Sequence, residues 1–491
     1  MKTVKNVLFG SILVLLLLPG FQQFFKIVKE PPLFGSFEKL NKVTLDSLQL
    51  SNWLDGSFQT AVNQQTEAGI GFHNTLVRLY NQWQFSLFSK ANAEGVIVGQ
   101  QSELFEEDYL RAATGEFFIG EEVWQLKAEQ LRAIQDTLKS LGKNIMVIIE
   151  PGKGSVYSDR FPSKYQTGSA NQSNYKSLKM SFEQNGINLL DYNECFSQWR
   201  DTSTYRLFPR TGTHWSYYGA ILAADTLVRI LEAEYPDRIH SFSISKLHEA
   251  GKLKHPDDDI WLTMNLLKEA PVENIAYPEL LFEPVPENGL NLLVIGDSFY
   301  FNWQNEKILL NTFSDSQFWY YNKLVHNHVG AQVGLAKERD LRSEIDKSDL
   351  ILIMITERFH QNFAWGFDTE LYELFYPGRI QRKDYFLNQV RIGNLEFIRI
   401  YNDAKTARMP LQERLALEAK FRMFDDWQKH PELYTDKNLV IEMLMMAIKG
   451  SPDWYAGIQK KAKDRKISDD EMLRIDAEWV YEQKQQNKKP S

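Results

Sequence analysis

The sequence predicts an α/β fold, a mainly parallel sheet covered by helices on both faces. Three observations carry this expectation. Between about residues 91 and 365, short apolar runs alternate with stretches of helical periodicity, the pattern of repeated β-α-β units. Two of the runs, Leu292 to Ile295 and Leu350 to Ile355, are unbroken in their apolar character, as strands buried on both faces must be. Each stops abruptly, at Gly296-Asp297-Ser298 and at Thr356-Glu357-Arg358, where loops at the carboxyl edge of such a sheet open toward a ligand.

From the start of the chain, Lys2 and Lys5 precede an apolar run from Val7 to Leu18, the order found in a secretory signal. No small-x-small cleavage site follows. After Pro19-Gly20, residues Phe21, Phe24, Phe25, Ile27 and Val28 extend the segment to the roughly 20 residues that span a bilayer. Residues 1–29 therefore read as an uncleaved signal anchor, with Lys26 and Lys29 on its far side weakening the charge asymmetry that would orient it. Residues 30–90 read as a linker and helical lead-in. Pro31-Pro32 ends the anchor, and Leu50, Trp53 and Leu54, then Leu76, Leu79, Tyr80 and Trp83, have helical spacing, so this segment is expected to pack on the main domain with its tryptophans in a core.

In the domain spanning 91–365, Val96 to Val98 is a short strand. Leu126, Leu131, Ile134, Leu138 and Leu141 mark an amphipathic helix closed by Gly142, and Ile145 to Ile149 is a buried strand with Glu150 at its end. A helix through Tyr175 to Phe182 and a strand at Ile187 to Leu190 repeat the unit. The last units run from Gln317 to Tyr321, through a helix near Ala336 to Ile345, to the strand at Leu350. Residues 234–290 hold His255-Pro-Asp-Asp-Asp259 and Glu283-Pro-Val-Pro286, and are expected to form a surface insertion with a solvated acidic run. The stretch 366–491 is helical in texture: Ser451-Pro452 is an N-cap and first-turn pair, and Ser468-Asp-Asp-Glu471 is a capping box. The polar tail from Lys484 is expected to fray.

Composition narrows the function. A chain of 491 residues, 43% hydrophobic and 24% charged, is ample for a large folded core. Its net charge of −8 argues against a nucleic-acid partner, and would hold off an acidic polymer unless a local basic groove offset the field. The 31 Phe, 21 Tyr and 12 Trp suit both core filling and contact with sugar rings. The lone Cys195 excludes an intrachain disulfide and is expected to serve packing. His326 and His328 lack companion ligands, so no metal site is predicted. The loop Pro151-Gly-Lys-Gly-Ser155 lacks the spacing of a nucleotide-phosphate cradle.

Two stretches carry chemistry. Ser298 stands at a strand's carboxyl end, where a following helix would point its amides at a ligand; alone, Gly-Asp-Ser reads equally as a turn. A serine hydroxyl needs a base, and His214, in Thr211-Gly-Thr-His-Trp-Ser-Tyr-Tyr-Gly-Ala220, lies between turn residues and the start of a helix. The alternative is a structural histidine packed on Trp215.

Together these stretches resemble the SGNH-like O-acetyltransferases of bacterial exopolysaccharide assembly, the alginate acetyltransferase AlgX/AlgJ type, in which a Thr-His-Trp motif precedes a late Gly-Asp-Ser-Phe. Gly95-Val-Ile-Val-Gly99 with Leu104-Phe105, Ile149 to Tyr157, and the late strand with Thr356-Glu357-Arg358 extend the resemblance to about residues 45–365. It implies an SGNH-hydrolase-like (flavodoxin-like) fold, no dissociable cofactor, a polysaccharide acceptor, a membrane-bound O-acyltransferase as donor partner, and a periplasmic domain on a single-pass inner-membrane anchor. Ser298 would be the nucleophile and His214 the base. Asp297, Lys153, Thr213, Trp215, Tyr300 and Arg358 are candidates for the oxyanion or substrate contacts, with Tyr157 and Glu357 in the same cleft. One departure stands out: the family's orienting aspartate, two residues before the histidine, is Gly212 here. The acid is thus open among Asp191, Glu150 and Asp201, beside a Ser-His dyad with no acid at all. Two other readings remain, an SGNH-type carbohydrate esterase and a non-catalytic glycan-binding or scaffold subunit.

Overall fold

The computed structural model describes residues 2–35, 44–165 and 172–486; the tail residues 487–491 lie outside them. Eleven strands are present among the described residues: β1 (Val96–Val98), β2 (Leu104–Glu106), β3 (Asn144–Glu150), β4 (Leu189–Asp191), β5 (Phe242–Glu249), β6 (Ala276–Phe282), β7 (Asn291–Gly296), β8 (Asp315–Tyr320), β9 (Leu324–His326), β10 (Gln332–Leu335) and β11 (Leu350–Thr356). Seven of them form the central sheet, in the order β10-β9-β8-β7-β11-β3-β4. The pairs from β8 through β4 are parallel; β9 and β10 join antiparallel at one edge.

The apolar strands take the centre because their side chains alternate between two covered faces. On one face Val147, Ile149, Leu293, Ile295, Ile351 and Ile353 pack under the helix Glu121–Ser140, whose Trp124, Leu131, Ile134 and Leu138 point inward. On the other, Ile148, Leu292, Val294, Leu352 and Met354 meet the helix Tyr217–Glu234 through Ile221, Leu227 and Leu231. The fold is the mainly parallel α/β sheet expected. The antiparallel edge and the β5–β6 hairpin of the 234–290 segment are additions that periodicity did not reveal.

The segment after Gly366 is helical, from Phe367–Phe375 to Asp469–Gln486. The last helix continues through Lys484, beyond the start of the expected frayed tail. The extension rests on the α/β domain: Phe117 meets Phe397 and Tyr401 edge-on, with ring centroids 5.4 and 5.1 Å apart. A buried ion pair, Lys127 Nζ to Asp368 Oδ2 at 2.6 Å, ties it to the helix Glu121–Ser140. The lead-in departs from expectation. Its helices Leu50–Leu54, Ser57–Gly69 and His73–Phe88 bury little: Trp53 and Trp83 are each half exposed, because the domain covers one face of the last helix, through Phe85 on Trp261. The N-terminal helix Lys2–Phe25, exposed along most of its length with only Gln22 buried, is long and apolar enough to cross a membrane.

Removing one partner of a buried ion pair strands the other charge. Asp368→Ala is expected to cost about 3–5 kcal/mol of stability, read as a lower denaturant midpoint for unfolding.

Candidate active site

The serine turn is built on β7. The strand is buried from Leu292 onward, and where it ends Asp297 turns its carboxylate inward, fully buried. Its Oδ1 accepts the Phe299 amide at 3.0 Å, and its Oδ2 accepts the Thr356 amide and hydroxyl at 3.0 and 2.7 Å. Asp297 therefore clamps the turn to the end of the neighbouring strand β11. Three donors on one buried carboxyl group fix the turn from both strands. Ser298, the next residue, is left partly exposed beyond the sheet edge.

His214 arrives on the loop before the helix Tyr217–Glu234, whose N-cap Ser216 accepts the Gly219 amide. Lys153 holds this loop from behind. Its fully buried ammonium donates to the carbonyls of Leu104 (2.8 Å), Pro209 (2.7 Å), Arg210 (3.2 Å) and Gly212 (2.7 Å), and pairs with Glu103 at 3.0 Å. Burial lowers its pKa to about 8, with Glu103 acting against the shift. His214 Nε2 thereby lies 2.8 Å from Ser298 Oγ, and Nδ1 lies 2.5 Å from Asp259 Oδ2. Trp215 sits beneath, its indole donating to the Phe299 carbonyl at 3.1 Å, and so locks the histidine loop to the serine turn.

Asp259 corrects two expectations. The 234–290 segment is no mere surface insertion, and its acidic run is not solvated: Asp257 is fully buried, and burial pushes its carboxyl up to about 8. The segment is knitted to the histidine loop, with Thr211 Oγ1 donating to the Asp257 carbonyl (2.9 Å), the Trp261 amide to the Thr211 carbonyl (3.0 Å) and the Tyr217 hydroxyl to the His255 carbonyl (2.9 Å). Asp259 Oδ1 accepts the amides of Thr213 and Ile260 at 2.8 and 2.6 Å, which aims Oδ2 at the imidazole. The same packing explains Gly212. A Cβ there would stand 2.8 Å from the Asp257 carbonyl oxygen and 2.9 Å from Pro209 Cγ, so the position has no room for an aspartate.

The other acid candidates are engaged elsewhere. Asp191 caps the helix Tyr192–Trp199 and holds the Tyr175 hydroxyl (2.8 Å) and Lys179 (2.9 Å); Asp201 is exposed beside Arg200. Glu150 is buried at the end of β3 next to Asp297, and burial with that neighbouring carboxyl group pushes its pKa well up, away from the ionised form an orienting acid needs. Among the substrate candidates, Trp215 and Tyr300 are core residues, the latter stacked on Phe318 at 3.8 Å. Lys153 and Asp297 are buried and spent on the backbone, and Asp297 accepts where an oxyanion site must donate. Tyr157 lies under the guanidiniums of Arg200 and Arg206, and Glu357 is buried on Ser155, its pKa pushed up to about 7 by burial. Thr213 is buried beside the histidine with a hydroxyl that has no partner. Arg358 lines a cleft of about 540 Å³ that reaches Asp259 and is walled by Glu106, Asp108, Thr263 and, from the C-terminal extension, Asn402.

Asp259 is the site residue that sequence reasoning missed. Its signal is Ile260-Trp261-Leu262 directly after the acidic run, since large apolar residues that must be buried draw their neighbours under cover.

The arrangement can deprotonate a serine, hold the imidazolium and return the proton. Asp259→Asn is expected to lower the rate of Ser298 acylation by roughly 10³-fold or more with little change in KM, by steady-state ester turnover. Adding Gly212→Asp to that variant is expected not to restore the rate, because the position is filled. Lys153 carries a pH prediction. Its folded pKa lies below the ordinary 10.5, so between about pH 8 and 10.5 the unfolded chain binds more protons, and this group's contribution to stability rises with pH. The neutral amine has fewer protons to share among four carbonyls. Turnover is therefore expected to decline through about pH 8 with no matching fall in melting temperature, and Lys153→Met is expected to remove that limb along with most of the rate.

Residues 96–259 match the family model described as SGNH hydrolase-like domain, acetyltransferase AlgX. A curated relative, the probable alginate O-acetylase AlgJ of Pseudomonas putida, is 23% identical over 199 residues, 40% of this chain and 48% of the relative. The chain thus matches about half the length of that protein. Among solved structures, the O-acetyltransferase domain of Pseudomonas putida AlgJ aligns at a TM-score of 0.38 and 16% identity, covering 57% of this chain and 99% of the domain. Pseudomonas aeruginosa AlgX aligns at 0.37 and 16%, covering 60% and 71%. The chain is similar to the SGNH-like O-acetyltransferases of the AlgX/AlgJ type, with Ser298 lying beyond the matched segment 96–259.

Proposed function

We propose that this protein is a cell-envelope O-acetyltransferase that moves an acetyl group onto hydroxyls of an exported polysaccharide through a serine acyl-enzyme. The observation that carries this reading is the continuous relay from Asp259 Oδ2 to His214 Nδ1 and from His214 Nε2 to Ser298 Oγ. His214 takes the Ser298 proton as the hydroxyl attacks the donor's acetyl carbonyl, and Asp259 steadies the imidazolium. The Phe299 amide is occupied by Asp297, whereas no hydrogen bond among the described residues takes up the Ser298 amide, which makes it the donor for the tetrahedral oxyanion. The imidazolium returns its proton to the donor's leaving group; a sugar hydroxyl deprotonated by the same histidine then attacks the acetyl carbonyl, and the imidazolium gives that proton to the Ser298 oxygen as the ester bond breaks.

The apolar N-terminal helix supports a single-pass membrane anchor, and the resemblance to the AlgX/AlgJ type implies an inner-membrane protein with its catalytic domain in the periplasm, supplied with acetyl groups by a membrane-bound O-acyltransferase. The cleft supports an acceptor without carboxylates. Its wall carries Glu94, Glu106, Glu107, Asp108 and Asp259 against Arg111 and Arg358, and both guanidiniums are already in ion pairs, with Glu107 and Glu106. A polyuronate would meet repulsion there and find no free cation.

The test is intact-mass measurement of the full chain in detergent after incubation with an activated acetyl ester. Wild type is expected to gain one acetyl group that persists in buffer and is lost on adding a neutral oligosaccharide, while Ser298→Ala and His214→Ala stay unlabelled. Loss to water at the same rate would make the protein an esterase; no label on folded wild type would leave a scaffold or binding subunit. Neutral oligomers are expected to discharge the acetyl-enzyme about tenfold faster than oligouronates at low ionic strength, a gap that narrows with salt.

A further inference from the structure

The helical lead-in presents an exposed apolar face that the proposed reaction does not use. The helix His73–Phe88 has two faces of different character. Asn81, Gln82 and Phe85 point to the globular domain: Asn81 Nδ2 donates to the Met264 carbonyl at 2.9 Å, Gln82 Oε1 accepts the Lys268 amide at 3.1 Å, and Phe85 meets Trp261 edge-on at 5.5 Å. On the opposite side Leu76, Tyr80, Trp83 and Leu87 recur at spacings of four, three and four, with Leu79 beside them, which places them on one stripe of the helix. All are strongly exposed, from 46% for Leu76 to 63% for Leu87, as is Phe88 at 60%. The rings form a surface cluster, Trp83 lying 6.4 Å from Tyr80 and 5.6 Å from Phe88. Leu50, Trp53 and Leu54 of the preceding short helix are likewise at least half exposed.

What covers this face follows from its attachment. The backbone at Gly71, just before the helix, is pressed against the end of the anchor: a Cβ there would stand 2.2 Å from the Pro19 carbonyl oxygen and 2.6 Å from Gln22 Cβ. The residues that leave the anchor are stapled to the same helix. Glu30 accepts the Thr75 amide (2.8 Å) and hydroxyl (2.6 Å), Asn74 donates to the Pro31 carbonyl (3.0 Å), and Arg78 donates to the carbonyls of Pro31 (3.1 Å) and Pro32 (2.7 Å). Glu30 is five residues beyond Phe25, so the chain between them spans at most about 18 Å. The helix is therefore fixed beside the point where the anchor leaves the membrane. Its sequence suits that place: Arg78 is its one Lys, Arg, Asp or Glu, and Trp, Tyr and Phe are the side chains that settle at the level of lipid headgroups.

We propose that the face formed by Leu76, Leu79, Tyr80, Trp83, Leu87 and Phe88, with Trp53, lies on the bilayer that the anchor crosses and holds the catalytic domain at a set height and tilt above the lipid. This rests on reading Lys2–Phe25 as a membrane anchor. The face is not a socket for a second protein: an amphipathic helix beside a spanning segment buries its apolar stripe in the interface at no cost in partner entropy, by about 5–10 Å.

The experiment is tryptophan emission of the full chain in lipid nanodiscs made with phospholipids brominated near the headgroup, compared with unbrominated discs. The anchor contains no tryptophan, so quenching reports on the rest of the chain. Wild type is expected to be quenched, and Trp53→Phe/Trp83→Phe to lose most of the quenched emission while keeping the melting temperature of wild type, since both rings are half exposed. Wild type that co-elutes with the discs but is not quenched, or a double variant quenched as strongly as wild type, overturns the proposal and leaves the anchor reading intact. Failure of wild type to enter the discs overturns both.

Discussion

The site depends on one bond, Asp259 Oδ2 to His214 Nδ1 at 2.5 Å. A histidine beside a serine is a base only when its other nitrogen is held in the donating tautomer and its cation is stabilised. Here that duty falls to a residue from a segment outside the parallel sheet, so the position of the 255–263 stretch becomes a condition for the chemistry. Several constraints fix it: the hydroxyl of Thr211 and the Trp261 amide bridge it to the histidine loop, Tyr217 reaches its start, and the backbone of Pro256 and Asp257 fills the space beside Gly212. The absent aspartate and the relocated one are thus a single packing arrangement. With a side chain at 212 the excursion could not approach, and without the excursion the imidazole would have no acceptor.

The sheet supplies the other half of the geometry. Strands β3, β7 and β11 end side by side, with Glu150 in register with Thr356. The buried carboxyl group of Asp297 bridges β7 to β11 through Thr356, and burial, with Asp297 beside it, raises the pKa of Glu150. Lys153 plays the matching role for the histidine loop, gathering the carbonyls of Pro209, Arg210 and Gly212 and that of Leu104 in β2 around one ammonium. Leaving any of these buried groups unpaired would be costly, and this holds Ser298 and His214 within hydrogen-bond reach although they are 84 residues apart.

The two helical additions do different physical work. The C-terminal extension shares a continuous apolar core with one face of the sheet and contributes Asn402 to the cleft wall, so it belongs mechanically to the α/β domain. The lead-in buries little and keeps its aromatic stripe outward, close to the anchor. One extends the core, while the other keeps its apolar stripe exposed, and the difference follows from where each apolar face finds cover within the chain.

The sequence by itself determined the parallel core, because Leu292 to Ile295 and Leu350 to Ile355 are too continuously apolar for anything but strands covered on both faces. It also singled out Ser298 and His214, since small polar residues at a strand's end and a histidine among turn residues are local patterns. The edge strands β9 and β10 were not legible, being only three and four residues long. Nor was the acid. Asp191, a helix cap at the end of β4, carried the right local pattern, whereas Asp259 sat in a run that local rules assign to solvent. Trp215, Tyr300 and Lys153 looked like cleft residues because motifs mark proximity in the chain; burial made the first two core and the third a brace. Tertiary structure alone decided these roles, for a carboxylate's function depends on which nitrogen it faces, and that contact spans 45 residues of chain.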